Sequence, residues 1–139
     1  MAIETQQRVI DEGVRGLIQP VTVRYYTPDV PSAATAAERA LLEAIAAASS
    51  RVRLHVLAEQ WDAAREEEVG IARTPAIALQ GARDYGIRYY GTPDGYELET
   101  FLKVVRAVSE GCSGLNDASR AAARALTAPV HLEVLVAPT

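Results

Sequence analysis

Apolar residues recur along the chain at two spacings, which predict helices and strands in alternation. Segments 3–17, 32–48 and 96–108 place apolar side chains three to four residues apart, or are rich in Ala, Leu and Glu, as amphipathic helices do. Segment 60–69 is predicted to be a short acidic helix that ends at a glycine. Strands are predicted at 21–26, 51–57, 76–79 and 86–90, from strict alternation or from β-branched and aromatic runs.

The order of these elements predicts an α/β fold. Two strand–helix steps follow the first helix, and then come two strands joined by the short turn 80–84 and a last helix. A short turn between strands indicates a hairpin, whereas a helical connection indicates parallel neighbours. We therefore expect a mixed four-stranded sheet with helices on both faces.

The last part of the chain repeats the pattern of its beginning. A helix rich in Ala and Arg at 117–126 precedes a predicted strand at 130–136, and Pro129-Val130 stands where Pro20-Val21 stands before the first strand. Similarity at the distance of one small α/β unit indicates an internal repeat. The chain is therefore divided into a unit at 1–114 and the first helix and strand of an incomplete second unit at 115–139.

Composition limits the functions that the chain can have. Its 139 residues suit one domain, and a net charge of −4 argues against binding nucleic acid. No segment resembles a signal peptide, and no apolar run reaches the length of about 18 residues that spans a membrane. We therefore expect a cytoplasmic protein with no membrane partner. The single cysteine, Cys112, excludes an internal disulfide, a cysteine-rich zinc site and a CxxC pair within the chain. No cofactor is expected.

Three stretches resemble the glutaredoxin-like protein disulfide oxidoreductases of thermophiles, which are built from two tandem thioredoxin-fold units. Segment 86–97 is similar to that family's hairpin and following helix start, and Arg73-Thr74-Pro75-Ala76 to its cis-proline element. Segment 134–139 resembles the strand that leads into the Cys-Pro-Tyr-Cys motif of the second unit, a motif absent here. The N-terminal domain of the alkyl hydroperoxide reductase flavoprotein subunit is similar as well. The resemblance implies a thioredoxin-like fold, with the extra C-terminal helix and strand belonging to a second unit.

The chain departs from that family where the dithiol should stand. An ungapped count from the first strand puts Ser32 and Thr35 at the two cysteine positions. A hydroxyl neither forms nor attacks a disulfide as a thiolate does. The resemblance therefore implies a unit that is silent in dithiol exchange, with Ser32 as the helix N-cap or as the remnant of a binding groove.

Thr74, Pro75 and Cys112 are further candidate site residues. By resemblance, the Thr74–Pro75 bond is expected to be cis, and Thr74 to offer its backbone to an extended peptide, as in β-augmentation. The alternative is a bend that only ends the strand. Cys112 lies in a glycine-flanked loop and is either an exposed redox thiol or an incidental one.

Other polar residues are interpreted as structural. His55 and His131 fall in strands away from the apolar alternation, so a Ser–His catalytic pair is not expected. The acidic residues around Trp61 point in different directions around a helix and predict a solvated face rather than a metal site; they are Asp62, Glu66, Glu67 and Glu68. Four tyrosines occur as adjacent pairs in strands, so each pair sends one ring to each face of the sheet.

These features predict a redox-silent thioredoxin-fold unit with a structural or protein-docking role in thiol–disulfide chemistry. Two alternatives stay open. The chain is either part of a longer protein disulfide reductase whose CxxC lies beyond Thr139, or a free-standing adaptor that binds peptides at Thr74–Pro75. The expected partners are a protein or peptide, a second thioredoxin-fold unit, or a second copy. The apolar face and open edge of segment 130–136 predict a homodimer through that strand.

Overall fold

The computed structural model describes residues 3–136, which form five helices and four strands. In chain order they are α1 (Ile3–Val14), β1 (Val21–Pro28), α2 (Ala33–Ala47), β2 (Val52–Glu59), α3 (Ala63–Val69), β3 (Ala76–Gln80), β4 (Asp84–Tyr89), α4 (Glu97–Glu110) and α5 (Asp117–Arg124). Every predicted helix is present, and four of the five predicted strands are. None of the described helices is long and apolar enough to cross a bilayer.

The strands form one mixed sheet in the order β2-β1-β3-β4. β1 and β2 are parallel and are joined through α2, whereas β3 pairs antiparallel with both β1 and β4. The predicted mixed four-stranded sheet is therefore confirmed. The hairpin turn is shorter than predicted, because Gln80 already pairs with Asp84 across an irregular register.

The two faces of the sheet bury different clusters. The larger cluster holds one face of the sheet against α1, α2 and α4 and includes Tyr25 and Phe101. The smaller one lies on the opposite face, where Tyr26 packs with Trp61 and Ile71 at the two ends of α3. Adjacent tyrosines thus reach opposite faces, as the alternation of a strand requires. Helices cover both faces, as predicted.

Helices α1 and α4 cross in close contact. A Cβ at Gly13 would lie 2.6 Å from Leu102 Cδ1, so only a glycine permits this approach. One guanidinium nitrogen of Arg106 in α4 donates to the carbonyl of Gly13 at 3.1 Å and to that of Arg15 at 2.9 Å, at the end of α1. Cationic groups at a helix C-terminus stabilise its unpaired carbonyls. The sequence analysis predicted that this helix reaches residue 17, but α1 ends at Val14. The backbone leaves the helical conformation at Gly16, which has a φ of +71°.

The prediction of a strand at 130–136 is wrong for the single chain. Residues 130–136 have no regular secondary structure and are exposed throughout, as is α5. A strand needs a neighbour for its backbone hydrogen bonds, and this segment pairs with neither edge of the sheet. Residues 137–139, which the sequence analysis included in the strand-like segment 134–139, lie outside the described part of the chain.

Candidate functional site

The candidate site lies at one end of the sheet, where β1 and β2 finish and β3 begins. The antiparallel register of β1 and β3 ends with Tyr26 opposite Ala76. Thr74 and Pro75 precede that pair on β3, and the turn that leads into α2 follows it on β1. The start of α2 and the Thr74–Pro75 bend therefore lie at the same end of the sheet.

Ser32 and Thr35 cap helix α2. The Thr35 backbone N–H donates to Ser32 Oγ at 3.2 Å, and the Ser32 N–H donates to Thr35 Oγ1 at 2.8 Å. The Thr35 hydroxyl also donates to the Ser32 carbonyl at 3.1 Å. This reciprocal pattern is a capping box, which satisfies N–H groups that the first turn leaves unpaired. Both hydroxyls at the predicted thiol positions are thus engaged in holding the start of the helix.

A buried acid lies beneath this helix start. Glu38 is 1% exposed, and its Oε2 accepts the phenol O–H of Tyr25 at 2.9 Å. The same phenol lies 3.3 Å from the Thr35 carbonyl, which connects the acid to the capped turn. Glu38 Oε1 has no hydrogen-bond partner among the described residues.

Burial controls the protonation of this pair. Desolvation raises the pKa of Glu38 above its ordinary value, although the hydrogen bond from Tyr25 opposes the rise. Desolvation also raises the pKa of Tyr25 to about 12. Burial therefore shifts the pKa values of both groups in the direction that favours their neutral forms.

The Thr74–Pro75 bend is half-buried and contacts α3. The peptide bond between the two residues is cis. The Thr74 hydroxyl donates to Glu66 Oε1 at 3.4 Å, and the backbone N–H of Ala72 donates to the Tyr90 hydroxyl at 2.8 Å. Arg73 is exposed, with its guanidinium 4.8 Å from the centre of the Tyr90 ring. The bend is thus held by contacts with Glu66 and Tyr90, and Thr74 and Pro75 stay partly exposed.

Trp61 packs against the end of β1, just before α3. Its indole N–H donates to the Thr27 carbonyl at 2.9 Å, and its ring meets Tyr26 edge to face at 5.4 Å. Arg65 lies over the ring at 5.7 Å. Polar groups of aromatic side chains usually find a partner when they are partly buried, and here the partner is the backbone at the end of β1. Trp61 therefore fixes α3 against the end of the sheet.

The acidic residues around Trp61 have structural partners. Asp62 caps α3 by accepting the Arg65 backbone N–H at 2.8 Å, and Glu68 pairs with the Arg65 guanidinium at 2.8 Å. Glu66 holds Thr74, and Glu67 is exposed. Within residues 3–136, no three metal-ligating side chains come close enough together to hold an ion.

Cys112 lies at the other end of the molecule. It follows α4, is exposed, and lines a groove of about 540 Å³ with Tyr85 and three arginines, which are Arg83, Arg120 and Arg124. Arg83 belongs to the turn after β3, whereas Pro75 precedes that strand. Five strand residues span about 17 Å, so Cys112 is not part of the candidate site.

The two histidines do not join Ser32 either. His55 is an exposed residue in the middle of β2, where it pairs in register with Arg24 of β1. His131 lies in the exposed C-terminal segment, 3.0 Å from Glu133. Among the described residues, the hydrogen bonds of the Ser32 side chain are with Thr35 alone.

Glu38 is the residue that the sequence analysis missed. Its signal was present in the spacing, because Glu38 occupies a position on the buried stripe of α2, together with Thr35, Leu41, Leu42 and Ile45. A carboxylate on a buried stripe needs a partner or a proton. That Tyr25 supplies the partner depends on the packing of α2 over β1.

Solved structures share this architecture. The chain superimposes with a TM-score of 0.72 and 23% identity on a protein disulfide oxidoreductase of Aeropyrum pernix, covering 88% of this chain and 54% of that one. The NTD_N/C domain of the alkylhydroperoxide reductase AhpF of Enterococcus faecalis gives a TM-score of 0.70 and 19% identity, covering 85% and 57%. A cysteine-to-alanine variant of AhpF from the same organism gives a TM-score of 0.73 and 20% identity, covering 90% and 61%.

The chain therefore has a thioredoxin-like fold, and the fold implied by the sequence resemblance is confirmed. It spans a little more than half the length of these three structures. No protein-family model matches the chain, and no curated protein matches it.

Proposed function

We propose that this chain is a thioredoxin-fold unit that has no dithiol chemistry of its own and docks a protein partner in thiol–disulfide metabolism. The capping box of Ser32 and Thr35 carries the proposal, because hydroxyls bonded to the helix backbone stand where the fold would present a thiolate. The names of the similar structures support a setting in disulfide or peroxide reduction. The proposed compartment is the cytoplasm, where a free thiol such as Cys112 is typical.

The proposed docking element is the open side of the Thr74–Pro75 bend. Thr74 lies two residues before the start of β3, with Pro75 between them, and its backbone is proposed to pair with an extended segment. The bend is anchored by Glu66 and Tyr90, which limits the ordering that a partner would have to induce. The domain division at residues 114 and 115 belongs to the same proposal, with α5 as the first element of a second unit.

An insulin-reduction assay tests the redox part. We expect the wild type to give no turnover above that of dithiothreitol alone, and Cys112→Ser to be indistinguishable from it. Ser32→Cys/Thr35→Cys in the Cys112→Ser background should gain turnover, because a helix N-terminus lowers the pKa of a thiol placed there. Turnover by the wild type that survives Cys112→Ser would contradict the proposal.

A nuclear magnetic resonance titration tests the docking part. The probe is insulin B chain with its cysteines carboxamidomethylated, an extended polypeptide that cannot exchange disulfides. We expect amide shifts at Thr74 and Ala76, lost in Thr74→Arg and kept in the control Ala82→Arg at the opposite end of β3. Shifts confined to other surfaces, or none with probe at about 1 mM, where even a weak complex with a millimolar Kd would form, would exclude docking at this bend.

The length comparison favours a second candidate function, in which this chain acts as one half of a longer thiol–disulfide oxidoreductase. The similar structures extend well beyond the part that this chain covers. The intact mass of the native protein from its own cells separates the two candidates. A mass near 14.9 kDa supports the free-standing docking unit, and about twice that mass supports the longer oxidoreductase.

A further inference from the structure

The C-terminal helix and segment expose an apolar surface that no described residue covers. Helix α5 carries one apolar stripe at helical spacing, formed by Ala118, Ala121, Ala122 and Ala125 and continued by Leu126. Beyond it, Leu132 is 83% exposed, and Val130, Val134 and Val136 are exposed as well. Apolar surface of this extent is typical of an interface.

Segment 130–136 has the pattern of a strand with two different faces. Val130, Leu132, Val134 and Val136 alternate with His131, Glu133 and Leu135. An extended backbone therefore places four apolar side chains on one face, and His131 and Glu133 on the other face together with Leu135. His131 and Glu133 lie side by side on the polar face, 3.0 Å apart. Within residues 3–136, the segment has no neighbouring strand for its backbone hydrogen bonds.

We propose that this neighbour is the same segment of a second copy, paired antiparallel with Leu132 opposite Leu132. In that register Val130 faces Val134 of the other copy on the apolar side. His131 faces Glu133 of the other copy on the polar side, twice by symmetry. Opposite charges directly across an antiparallel pair stabilise it, whereas like charges destabilise it. His131 and Glu133 are thus complementary across the pair in this register, by a hydrogen bond and, when the imidazole is protonated, by an ion pair.

Helix α5 completes the proposed interface. A two-stranded ribbon alone is marginal in water and needs a layer on its apolar face. Only residues 125–129 connect α5 to the segment, and connections of this length commonly fold a helix back over the strand that follows. Two copies then supply two strands and two helices, which form a small two-layer unit. This assembly is independent of the proposed docking at Thr74–Pro75.

Light scattering measures the predicted assembly on the full 139-residue chain. At about 100 µM, well above a micromolar dissociation constant, we expect twice the monomer mass of 14.9 kDa. Leu132→Asp puts two carboxylates opposite each other and should raise the dissociation constant at least a hundredfold. Leu135→Asp is the matched control, since it changes a leucine on the other face that is also almost fully exposed, and it should leave the dimer intact.

The outcomes decide between self-association and other arrangements. A monomeric wild type overturns the proposal, and so does a dimer that persists in Leu132→Asp. Neither substitution touches the core, because residues 126–136 are exposed throughout, so circular dichroism should show the same folded protein in all variants. Failure of peptide docking at Thr74 would leave these results unchanged.

Charge exchange and cross-linking test the register. Glu133→Lys should weaken the dimer by placing Lys opposite His131, and His131→Glu combined with Glu133→Lys should restore it.

In a Cys112→Ser background, Leu132→Cys should form a disulfide-linked dimer when oxidised glutathione accepts the two electrons, because directly opposed residues have Cα atoms about 4.5–5.5 Å apart. Leu135→Cys should not cross-link. Cross-linking of both variants alike, or of neither, would overturn the register.

Discussion

Tyr25 of β1 and Glu38 of α2 share a hydrogen bond of 2.9 Å that lies entirely inside the protein. The phenol also approaches the carbonyl of Thr35, whose side chain closes the capping box. One connected set of polar groups thus joins the sheet, the start of α2 and a buried carboxyl. None of these groups is a thiol, so their energetics can be measured without interference from redox chemistry.

Glu38 should make the stability of the protein fall as the pH rises. Its pKa in the folded state is raised above the ordinary value of 4.5, so between these two values the folded protein holds a proton that the unfolded chain has released. Stability is therefore fully present below pH 4.5 and declines through the folded-state pKa, by at most about 1.4 kcal/mol per pH unit. Glu38→Gln has no such proton and should remove this decline.

Urea denaturation at a series of pH values above 4.5 checks this expectation. The matched control is Glu43→Gln, which changes an exposed glutamate of the same helix that pairs with Arg39. The control should follow the wild-type pH dependence. Parallel curves for Glu38→Gln and the wild type would show that Glu38 keeps an ordinary pKa in the folded protein.

Removal of the Tyr25 hydroxyl should destabilise the fold without changing its shape. Tyr25→Phe deprives Glu38 Oε2 of its donor, and Oε1 already has no partner among the described residues. Leaving a buried acceptor unpaired costs about 1–3 kcal/mol. Thermal and urea unfolding at pH 7 measure the loss. Tyr96→Phe, at a tyrosine that is 89% exposed, is the control and should stay within about 0.5 kcal/mol of the wild type.

The capping box should contribute measurably to stability. Ser32→Ala removes the oxygen that accepts the Thr35 N–H, and losing such a cap costs about 1 kcal/mol. Ser119→Ala in α5 is the control, because that serine is exposed and its side chain makes no hydrogen bond among the described residues. Equal free energies of unfolding for both variants would mean that Ser32 does not stabilise α2.

Gly13 should resist substitution although it lies inside a helix. Alanine is favoured over glycine within helices by about 1 kcal/mol, but overpacking a core costs about 1–3 kcal/mol. The added Cβ would meet the Cβ of buried Leu102 at 2.8 Å, so the repulsion cannot be relieved at the far end of a flexible side chain. We expect Gly13→Ala to lose up to about 2 kcal/mol of stability, the difference of those two terms. Urea unfolding measures the change, with Arg8→Ala at an exposed position of the same helix as the reference. A gain in the free energy of unfolding for Gly13→Ala would show that α1 shifts to make room for the methyl group.

Local patterns were enough to predict most of the fold. The stripe of α4, with Leu98, Phe101, Leu102, Val105 and Val108, is buried as its spacing indicates. Periodicity succeeds here because a helix or strand between a core and solvent must place its apolar residues on one side. The same reasoning failed for residues 130–136, since alternation indicates which face is apolar but not whether a neighbouring strand exists.

The candidate site was predictable only in part. The positions of Ser32, Thr35, Thr74 and Pro75 followed from their places at the ends of predicted elements and from the family resemblance. Their separation from Cys112 did not, because it depends on the direction in which β3 runs across the sheet. The polar network beneath α2 also required the tertiary structure.

The sequence by itself determined the order of elements and the N-cap Ser32, which depend on neighbours close in the chain, and its composition determined the absence of a cysteine pair. Only the tertiary structure decided that Glu38 is buried against Tyr25 and that Gly13 lies against Leu102. Those outcomes depend on how α2 and α4 pack on residues distant in the chain. Hydrogen bonds and van der Waals contacts act over a few ångströms, so such pairs exist only once the packing brings them together.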